Sequence, residues 1–470
     1  MQLYNTPTKL TETITAQSTD FMSVYTCGPT VYDYPHVGNW FTFVRYDLLV
    51  RTLQLSEYNT KWVLNITDVG HLVSDADEGE DKLEKGAKRE GKTACDIATF
   101  YTDYFVAGLA RLNIQTPDVM PKATDHIPEQ IALIQRLETN GYTYAIDDGV
   151  YYDTSRFPTY AAFASLDLED QQAGARVTFN AQKRNASDFA LWKFSPANET
   201  RDMEWDSPWG KGFPGWHLEC SAMAMKYLGE TMDIHAGGID HIPVHHTNEI
   251  AQSEGATGKP YAHYWMHANH ITVDGEKISK SLGNSITLED IEAKGISLEA
   301  FRLHVLESHY RTQSKFSWDS LISAQNRLTS IQEFADLRFQ AQPDAKEIGD
   351  DYFEVKQKAM RSALVTDLNT PVALRVLSEV LNTVAQNGLH AKYTDGPAFT
   401  NFLKFIDSSL GLTLMQSQDI TSEQKALIQA RTEARHSGDW ATSDTVRDQL
   451  QAQGIGLRDF AGQVIWLRLR

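Results

Sequence analysis

The sequence predicts an α/β protein with a parallel sheet, a mixed insertion, a helical region and a small C-terminal domain. Two apolar segments rich in β-branched residues, FMSVYTCGPTV and VLNITD (Val63 to Asp68), predict strands. The first precedes WFTFVRYDLLVRTLQL, in which apolar residues recur at helical spacing. Because strands that alternate with helices form βαβ units, the sheet is expected to be parallel.

The later segments predict different structure. DDGVYYDTSRFPTY and LDLEDQQAGARVTFN are rich in turn residues and alternate polar with apolar positions, which indicates the mixed insertion. From Leu298 onward the helical spacing returns, and Thr370 with Pro371 marks a helix start in LNTPVALRVLSEVLNTV. The end of the chain predicts a polar helix stopped by Gly438, a shorter helix DTVRDQLQAQG and a hairpin in GLRDFAGQVIWLR.

Composition limits the classes of function. The 470 residues are 41% hydrophobic and 22% charged, which excludes wholesale disorder and suggests about three domains. There is no apolar run long enough to span a membrane, and the N-terminus lacks the pattern of a signal peptide. Three cysteines are too few for a disulfide framework, so we expect a cytoplasmic protein with no membrane partner.

Charge is distributed unevenly along the chain. The net charge is −19, which disfavours non-specific adhesion to nucleic acid, although a local basic face can still bind phosphates. Residues 421–470 are nearly neutral and rich in arginine, whereas the preceding residues carry the acidic excess. The acidic run DADEGED (75–81) lacks the glycine position and closing glutamate of a calcium loop, so it predicts a solvated turn before the helix DKLEKGAKREG.

Two short segments have the residue types that bind phosphates. In the first, His36-Val37-Gly38-Asn39, the glycine permits close approach of a nucleotide, and His36 and Asn39 fall in one helical turn where both can face the same phosphate oxygens. The second, KISKS, places Lys277 and Lys280 in a polar loop that can neutralise charge on a departing polyphosphate. Taken singly, the first pattern more often marks an ordinary histidine in a turn, and the second a solvated turn with lysines.

A third group has the residue types of a metal site. Cys27 ends the first strand, Cys220 lies in PGWHLECSAMAM, and His245 and Glu249 are four residues apart, on one face of a helix. Two thiolates, an imidazole and a carboxylate form a tetrahedral zinc set. Their spacing along the chain is nonlocal, however, and for either cysteine alone a buried, unreactive thiol is the commoner meaning.

HVGN and KISKS, in this order, resemble the HIGH and KMSKS signatures of class I aminoacyl-tRNA synthetases, which bind ATP on a Rossmann-type fold. Nearly the whole chain resembles the cysteinyl-tRNA synthetases, through YTCGPTVYDYPHVGN, EWDSPWGKGFPGWHLECSAMAMKYLG, HHTNEIAQSEGATGK, HYRTQSKFSW, DLNTPVAL and GDWATSDTVRDQL among other stretches. The resemblance implies that one zinc ion per chain, held by Cys27, Cys220, His245 and Glu249, selects the thiol of L-cysteine. The chemistry is consistent, because zinc is thiophilic whereas a hydroxyl is a poorer ligand.

The resemblance also implies the other roles in the site. The expected partners are ATP with magnesium, L-cysteine and tRNA(Cys). ATP is expected to contact HVGN, the KISKS lysines and the HAGGID segment, and the catalytic residues are expected to be His36, Asn39, Lys277 and Lys280. The residues expected at ATP are His36, Gly38, Asn39, Gly238, Asp240, Lys277 and Lys280, and those at cysteine are Gly28, Thr67, Trp216 and His235.

The sequence departs from the family in three places. VGHLVSDADEGE intervenes between NITD and Asp81-Lys82, Asn39 stands where the signature ends in histidine, and Thr247 stands where a glutamate is usual. None of these changes removes a proposed zinc ligand.

We expect a monomer, and we divide the chain into five parts. They are residues 1–118 and 201–297 as two halves of a Rossmann-type catalytic domain, 119–200 as a connective insertion, 298–415 as a helical stem-contact region, and 416–470 as an anticodon-binding domain. Two alternatives stay open: a cysteine ligase of the mycothiol pathway acting on an amino sugar, and a catalytically silent tRNA-binding paralogue. The C-terminal segment disfavours the first, and the intact KISKS and zinc set disfavour the second.

Overall fold

The structure, a computed structural model, describes residues 1–70, 83–84, 86–87, 91–164, 181–195, 201–279, 282–340, 351–386, 396–460 and 463–469. The chain forms two compact units. The first unit comprises Met1–Leu298, His309–Ser317 and Val365–Leu368, and the second comprises Glu299–Ser308, Trp318–Leu364 and Asn369–Arg470. The acidic turn predicted at 75–81 lies outside the described residues, as does most of the helix predicted after it.

The first unit alternates strands with helices. Its strands are β1 (Gln2–Asn5), β2 (Leu10–Thr13), β3 (Met22–Thr26), β4 (Thr60–Leu64), β5 (Thr143–Ile146), β6 (Gly149–Tyr152), β7 (Phe189–Phe194), β8 (Gly212–Pro214), β9 (Met232–Gly238), β10 (Ala262–Ala268), β11 (Ile271–Val273) and β12 (Ser314–Phe316). Its helices of at least six residues are α1 (Val37–Leu55), α2 (Ala94–Arg111), α3 (Ile127–Thr139), α4 (Trp216–Leu228), α5 (Thr247–Thr257) and α6 (Leu288–Ala293).

A four-stranded parallel sheet, in the order β10-β9-β3-β4, lies at the centre of this unit. Both predicted strand segments belong to it, so the expectation of a parallel sheet is confirmed. In the register, Val24 lies opposite Trp62 on one side and Ile234 on the other, and all three are buried. The chain leaves β3 toward β4 and leaves β9 toward β10, in opposite directions. The carboxyl ends of β3 and β9 therefore flank a switch point, where sheets of this kind bind ligands.

The helix predicted after the first strand is α1, which begins directly after His36. Its apolar residues, among them Trp40 and Leu48, are buried. Helix α2 approaches α1 closely at Gly108, where a Cβ atom would lie 2.3 Å from the Trp40 ring. A larger residue at 108 would therefore displace that ring.

The predicted mixed insertion contains an antiparallel sheet in the order β5-β6-β7-β8. Its buried face packs Tyr152 and Trp192 against Leu137 of α3 and Leu218 of α4. The last strand, Gly212–Pro214, follows residue 200, at which the sequence predicted the insertion to end.

The second unit is mostly helical, as the spacing from Leu298 onward predicted. Its helices are α7 (Leu298–Leu306), α8 (Trp318–Asp336), α9 (Tyr352–Val365), α10 (Thr370–Gln386), α11 (Pro397–Leu410), α12 (Ser422–Ser437) and α13 (Trp440–Ala452), and its hairpin pairs β13 (Ile455–Phe460) with β14 (Gln463–Arg468). Helix α12 ends at Gly438, which has a left-handed φ of 78°. Helix α13 begins earlier than predicted, because the Asp439 side chain caps it by accepting a hydrogen bond from the backbone N of Thr442. Among all the described residues there is no helix long and apolar enough to cross a membrane.

Candidate functional site

The structure brings together the four side chains of the predicted zinc set. Cys27 lies at the carboxyl end of β3, Cys220 in α4, His245 in the turn before α5, and Glu249 in the first turn of α5. All four are buried, and one ligand atom from each lies within 4.8 Å of the others. Residues that are far apart in the sequence therefore form one cluster of donor types that suit a metal ion.

An irregular helix start places the histidine beside the carboxylate. Residues Ile242–His246 form one wide π-helical turn that continues into α5. The Nε2 atom of His245 lies 2.7 Å from Oε1 of Glu249. Such turns occur mostly as local irregularities and are frequent at functional sites.

A second donor group shares part of this cluster. Cys27 and Glu249 also lie within 4.8 Å of ligand atoms of His235 and His246. The Nε2 atom of His246 is 3.3 Å from the Cys27 Sγ, and its Nδ1 is 2.8 Å from Nε2 of His267. The sequence analysis assigned no role to His267, although β10 places it opposite Gly237, at the carboxyl end of β9. The signal that could have identified His267 is its position opposite Gly237 in the parallel sheet.

The cluster favours deprotonated donors at two of its positions. The hydrogen bond from Cys27 lowers the pKa of the Cys220 thiol, and His245 lowers it further, whereas burial raises the pKa of Cys27. Burial alone would raise the pKa of the Glu249 carboxyl, but His235 and His245 lower it well below its usual range. A carboxylate and a thiolate are the forms that bind metal ions, and the lowered pKa values of Glu249 and Cys220 favour these forms.

The residues predicted at cysteine lie around this cluster. The Trp216 ring centroid is 5.3 Å from that of His245. The backbone N of Gly28 donates to Oδ1 of Asn65, and the Asn65 amide donates to the hydroxyl of Thr67. A Cβ at Gly28 would lie 1.5 Å from the Asn65 carbonyl oxygen, so only glycine fits there. Asn65 was missed by the sequence analysis, although it belongs to the NITD segment.

Two predicted residues have surroundings that the sequence did not indicate. His235 is fully buried, its Nε2 is 2.5 Å from Oε2 of Glu249, and its ring stacks on Trp265 at 4.7 Å. It therefore supports the carboxylate from the side of the sheet. Asp240 is exposed, and its Oδ1 would lie 2.3 Å from a Cβ at Gly238, so a larger residue there would displace this carboxylate.

His36 and Asn39 form a capping box at the start of α1. The Nδ1 atom of His36 accepts hydrogen bonds from the backbone N atoms of Gly38 and Asn39, at 3.1 and 3.3 Å. In return, Oδ1 of Asn39 accepts from the backbone N of His36 at 3.0 Å. The two side chains therefore stabilise the helix start, and their contact with phosphate stays a prediction.

The HVGN and KISKS segments meet in the structure. A Cβ at Gly38 would lie 2.9 Å from Cδ1 of Ile278, and the backbone N of Val37 donates to the carbonyl of Ile286 at 2.8 Å. Asn284, which the sequence analysis did not select, braces the loop: its Oδ1 accepts from Ser279, and its Nδ2 donates to the carbonyl of Lys277. Lys277 is exposed, whereas Lys280 lies outside the described residues.

Most basic side chains at the C-terminus pair with acidic ones. Arg431 is almost fully buried and donates through two nitrogens to the two oxygens of Asp459. Five further basic residues make ion pairs: Lys425 with Asp419, Arg435 with Asp459, Arg447 with Asp444, Arg458 with Glu333, and Arg468 with Asp336. Arg470 lies outside the described residues. The arginine count therefore overstates the charge available to phosphates.

An exposed aromatic residue lies in the same region. Trp440, the first residue of α13, is 60% exposed, and the Arg435 guanidinium lies 5.5 Å from its ring centroid. An exposed indole of this kind can stack on a base.

Comparison with known proteins identifies two domains in the chain. Residues 13–326 match the model of the tRNA synthetases class I (C) catalytic domain, and residues 417–466 match that of the cysteinyl-tRNA ligase anticodon binding domain. Among solved structures, methionyl-tRNA synthetase of Mycobacterium tuberculosis in complex with methionyl-adenylate has a TM-score of 0.61 at 14% identity, covering 84% of this chain and 92% of that one. At this identity the likeness shows the fold alone.

Relatives of similar length share much more sequence. A cysteine–tRNA ligase of Treponema denticola is 42% identical over 95% of this chain and 95% of its own. Cysteine–tRNA ligase 1 of Burkholderia lata is 43% identical over 98% of this chain and 95% of its own. With both domain models matched and this identity over nearly the full length, the chain belongs to the cysteine–tRNA ligase family of class I aminoacyl-tRNA synthetases.

Proposed function

We propose that this protein activates L-cysteine with ATP and transfers it to the 3′ end of tRNA(Cys). The single observation that carries the proposal is the buried convergence of Cys27, Cys220, His245 and Glu249. It occurs in the same compact unit in which the HVGN and KISKS segments meet. A thiol-selective metal site and a phosphate site in one unit match the two substrates of the first step.

Of the two donor groups, we propose Cys27, Cys220, His245 and Glu249 as the zinc ligands. Only this group includes both thiols, which zinc prefers to carboxylates and hydroxyls. His246 then hydrogen-bonds to Cys27, and His235 hydrogen-bonds to Glu249. Such contacts commonly orient the ligands of a metal ion. When bound, zinc supplies a thiophilic centre that accepts a substrate thiolate far better than a hydroxyl.

The protein's own residues orient the reaction. The cysteine carboxylate attacks the α-phosphate of ATP in line, which forms cysteinyl-adenylate and releases pyrophosphate. Lys277 and Lys280 neutralise the developing charge, with magnesium travelling on the ATP, and His36 and Asn39 hold phosphate oxygens at the start of α1. Gly38, Gly238 and Asp240 face the nucleotide in this proposal, while Gly28, Thr67, Trp216 and His235 shape the site around cysteine.

In the second step, a terminal hydroxyl of the tRNA attacks the adenylate carbonyl and AMP leaves. The C-terminal region, with its match to an anticodon-binding domain, supports tRNA as the acceptor rather than an amino sugar. Exposed Trp440 is the group in that region best suited to stack on an unpaired base. The five-part division, a monomeric state and a cytoplasmic location belong to the same proposal.

The test is cysteine-dependent exchange of pyrophosphate into ATP, followed by charging of tRNA(Cys). Cysteine should support exchange, serine should support it far less, and prolonged chelation should abolish it. His246→Gln should keep zinc, whereas Cys220→Ser should lose it. If zinc were kept by Cys220→Ser and lost by His246→Gln, the second donor group would hold the metal. Absence of any cysteine-dependent exchange would refute the function.

A further inference from the structure

Asp367 is a buried carboxylate outside both phosphate segments and the metal cluster. It is 5% exposed and lies in Val365–Leu368, a short segment of the first unit. Its Oδ1 accepts hydrogen bonds from the Tyr310 hydroxyl at 2.6 Å and from the backbone N of Tyr4 at 2.9 Å. Its Oδ2 accepts from Nε of Arg311 at 2.9 Å, and Nη2 of the same guanidinium is 2.7 Å away. One carboxylate thus joins three segments of the first unit.

Tyr310 and Arg311 in turn hold the segment that leads into the KISKS loop. The backbone N of Asn269 donates to the Tyr310 carbonyl at 2.8 Å, and the Asn269 amide donates to the Arg311 carbonyl at 3.0 Å. Asn269 lies two residues before β11, so this contact helps to set the position at which that strand begins.

The two short strands continue the connection. In the parallel pair β11–β12, Ile271 lies opposite Ser314 and Val273 opposite Phe316. The backbone N of Asp274 also donates to the Phe316 carbonyl at 2.9 Å. The turn after β11 leads directly to Lys277, so the first lysine of the loop lies four residues beyond a strand that β12 holds.

A pair of three-residue strands depends for its position on its surroundings, which here are the buried packing of Ile271, Val273 and Phe316 and the hydrogen bonds that lead to Asp367. An isolated two-stranded arrangement is marginal in water, and this pair is shorter than most. Hydrogen bonds to a charged group are roughly twice as strong as neutral ones, and Asp367 makes several of them from a buried position. A displacement of about 1 Å at a catalytic group, caused from a distance, can reduce rate by about 10²-fold.

We propose that Asp367 is a positioning residue for the KISKS loop, acting through Tyr310, Arg311 and the β11–β12 pair. The inference rests on the proposed function, because it assigns Asp367 to the step in which the loop lysines meet the polyphosphate. The carboxylate bonds to Tyr4, Tyr310 and Arg311 and lies 3.7 Å from His309, and none of these is a proposed zinc ligand. Its loss should therefore lower turnover and leave cysteine recognition unchanged.

The test compares two Asp→Asn variants by cysteine-dependent pyrophosphate exchange. Asp367 has a φ of 58°, a conformation that asparagine tolerates, so Asp367→Asn removes the charge and leaves the backbone unstrained. Its turnover should fall by about 10- to 100-fold, with unchanged zinc content and unchanged KM for cysteine. Asp459→Asn, which removes an arginine-paired carboxylate from the C-terminal hairpin, should leave exchange unchanged.

Tyr310→Phe is a third variant, and it keeps the proposal testable if Asp367→Asn does not fold. It removes one hydrogen bond to Asp367 and should lower turnover in the same direction by a smaller factor. A folded Asp367→Asn protein with the turnover of the unmodified protein would overturn the inference, as would a loss confined to the KM for cysteine.

Amide hydrogen exchange of residues 271–279 separates this inference from the proposed function. It should be faster in Asp367→Asn and Tyr310→Phe, and unchanged in Asp459→Asn. If the unmodified protein had no cysteine-dependent pyrophosphate exchange, the proposed function would fail. Faster amide hydrogen exchange in Asp367→Asn and Tyr310→Phe would still support the anchoring role. Unchanged amide exchange in both would overturn it.

Discussion

Polar side chains serve different purposes in the two units. In the first unit, two thiols, an imidazole and a carboxylate face one another in the interior, an arrangement that suits a bound cation. In the C-terminal region of the second unit, arginines face aspartates, so their charges are already balanced within the chain. The difference teaches that donor residues which converge in space indicate a ligand, whereas an arginine-rich composition alone does not.

The largest effect is expected at Cys220. Cys220→Ser should lose both zinc and cysteine-dependent pyrophosphate exchange, because a hydroxyl cannot replace a thiolate in the ligand set. Metal analysis and the exchange assay check this together. Cys95, which is exposed, provides the matched control, and Cys95→Ser should retain both properties. Full zinc content in Cys220→Ser would remove that residue from the site.

The next largest effect is expected in the KISKS loop. Lys280→Ala should lower the rate of adenylate formation by about 10²-fold while cysteine binding persists, because the lysine stabilises charge that develops only in the transition state. Single-turnover kinetics and cysteine titration measure the two quantities separately. Lys294→Ala, in the same unit but beyond the loop, serves as the control. A defect in cysteine affinity with normal turnover would contradict the role.

Trp440 tests whether the C-terminal region binds tRNA. Trp440→Ala should weaken tRNA binding by about 1–3 kcal/mol, the usual effect of losing an aromatic ring that stacks on a base, and should leave pyrophosphate exchange unchanged. The KM for tRNA in aminoacylation provides the measurement. If Trp440→Ala charged tRNA with the KM of the unmodified protein, this face of the C-terminal region would not bind tRNA.

Arg431→Ala provides the matched comparison in the same region. Arg431 is 2% exposed and bonded to Asp459, so its removal should lower the thermal stability of the C-terminal region. An effect on tRNA binding without any loss of stability would assign Arg431 to the RNA instead.

The smallest expected effect concerns Asp407. Burial raises the pKa of this carboxyl to about 6, although hydrogen bonds from the backbone N atoms of Met415 and Leu414 act in the opposite direction. A raised pKa means that the folded state binds the proton more tightly than the unfolded chain. This contribution to stability is therefore present below about pH 4 and is lost as pH rises through about 6.

Thermal unfolding across this pH range measures the contribution. Asp407→Asn should flatten the pH dependence of the unfolding midpoint. Asp419→Asn should preserve it, since the Asp419 carboxylate pairs with Lys425 at the surface. Identical pH profiles for Asp407→Asn and the unmodified protein would exclude this titration.

The sequence predicted most of the fold because its periodicities are local. Thr370 and Pro371 begin a helix and Gly438 follows the end of one, as their conformational preferences indicate. The predicted start of α13 lies too late in the chain, because the helix begins directly after Asp439, whose side chain caps it.

The site was predictable in its residue types and less so in its surroundings. Cys27 and Cys220 converge as the family resemblance implied, but no periodicity places His267 behind His246, since that contact depends on the register of β10 with β9. The pairing of Arg431 with Asp459 could not be predicted either, because composition does not show which charged residues lie close together in the fold. Whether the predicted site residues perform their assigned roles stays a prediction.

The pairing of β3 with β9 has a consequence for biosynthesis. The two strands are adjacent in the sheet but more than two hundred residues apart in the chain, at Met22–Thr26 and Met232–Gly238. At about 5–20 residues per second, a ribosome needs roughly 10–40 s to proceed from Cys27 to Glu249. During that interval the nascent chain carries an uncovered strand and an uncoordinated thiol, and both are hazards for aggregation and oxidation.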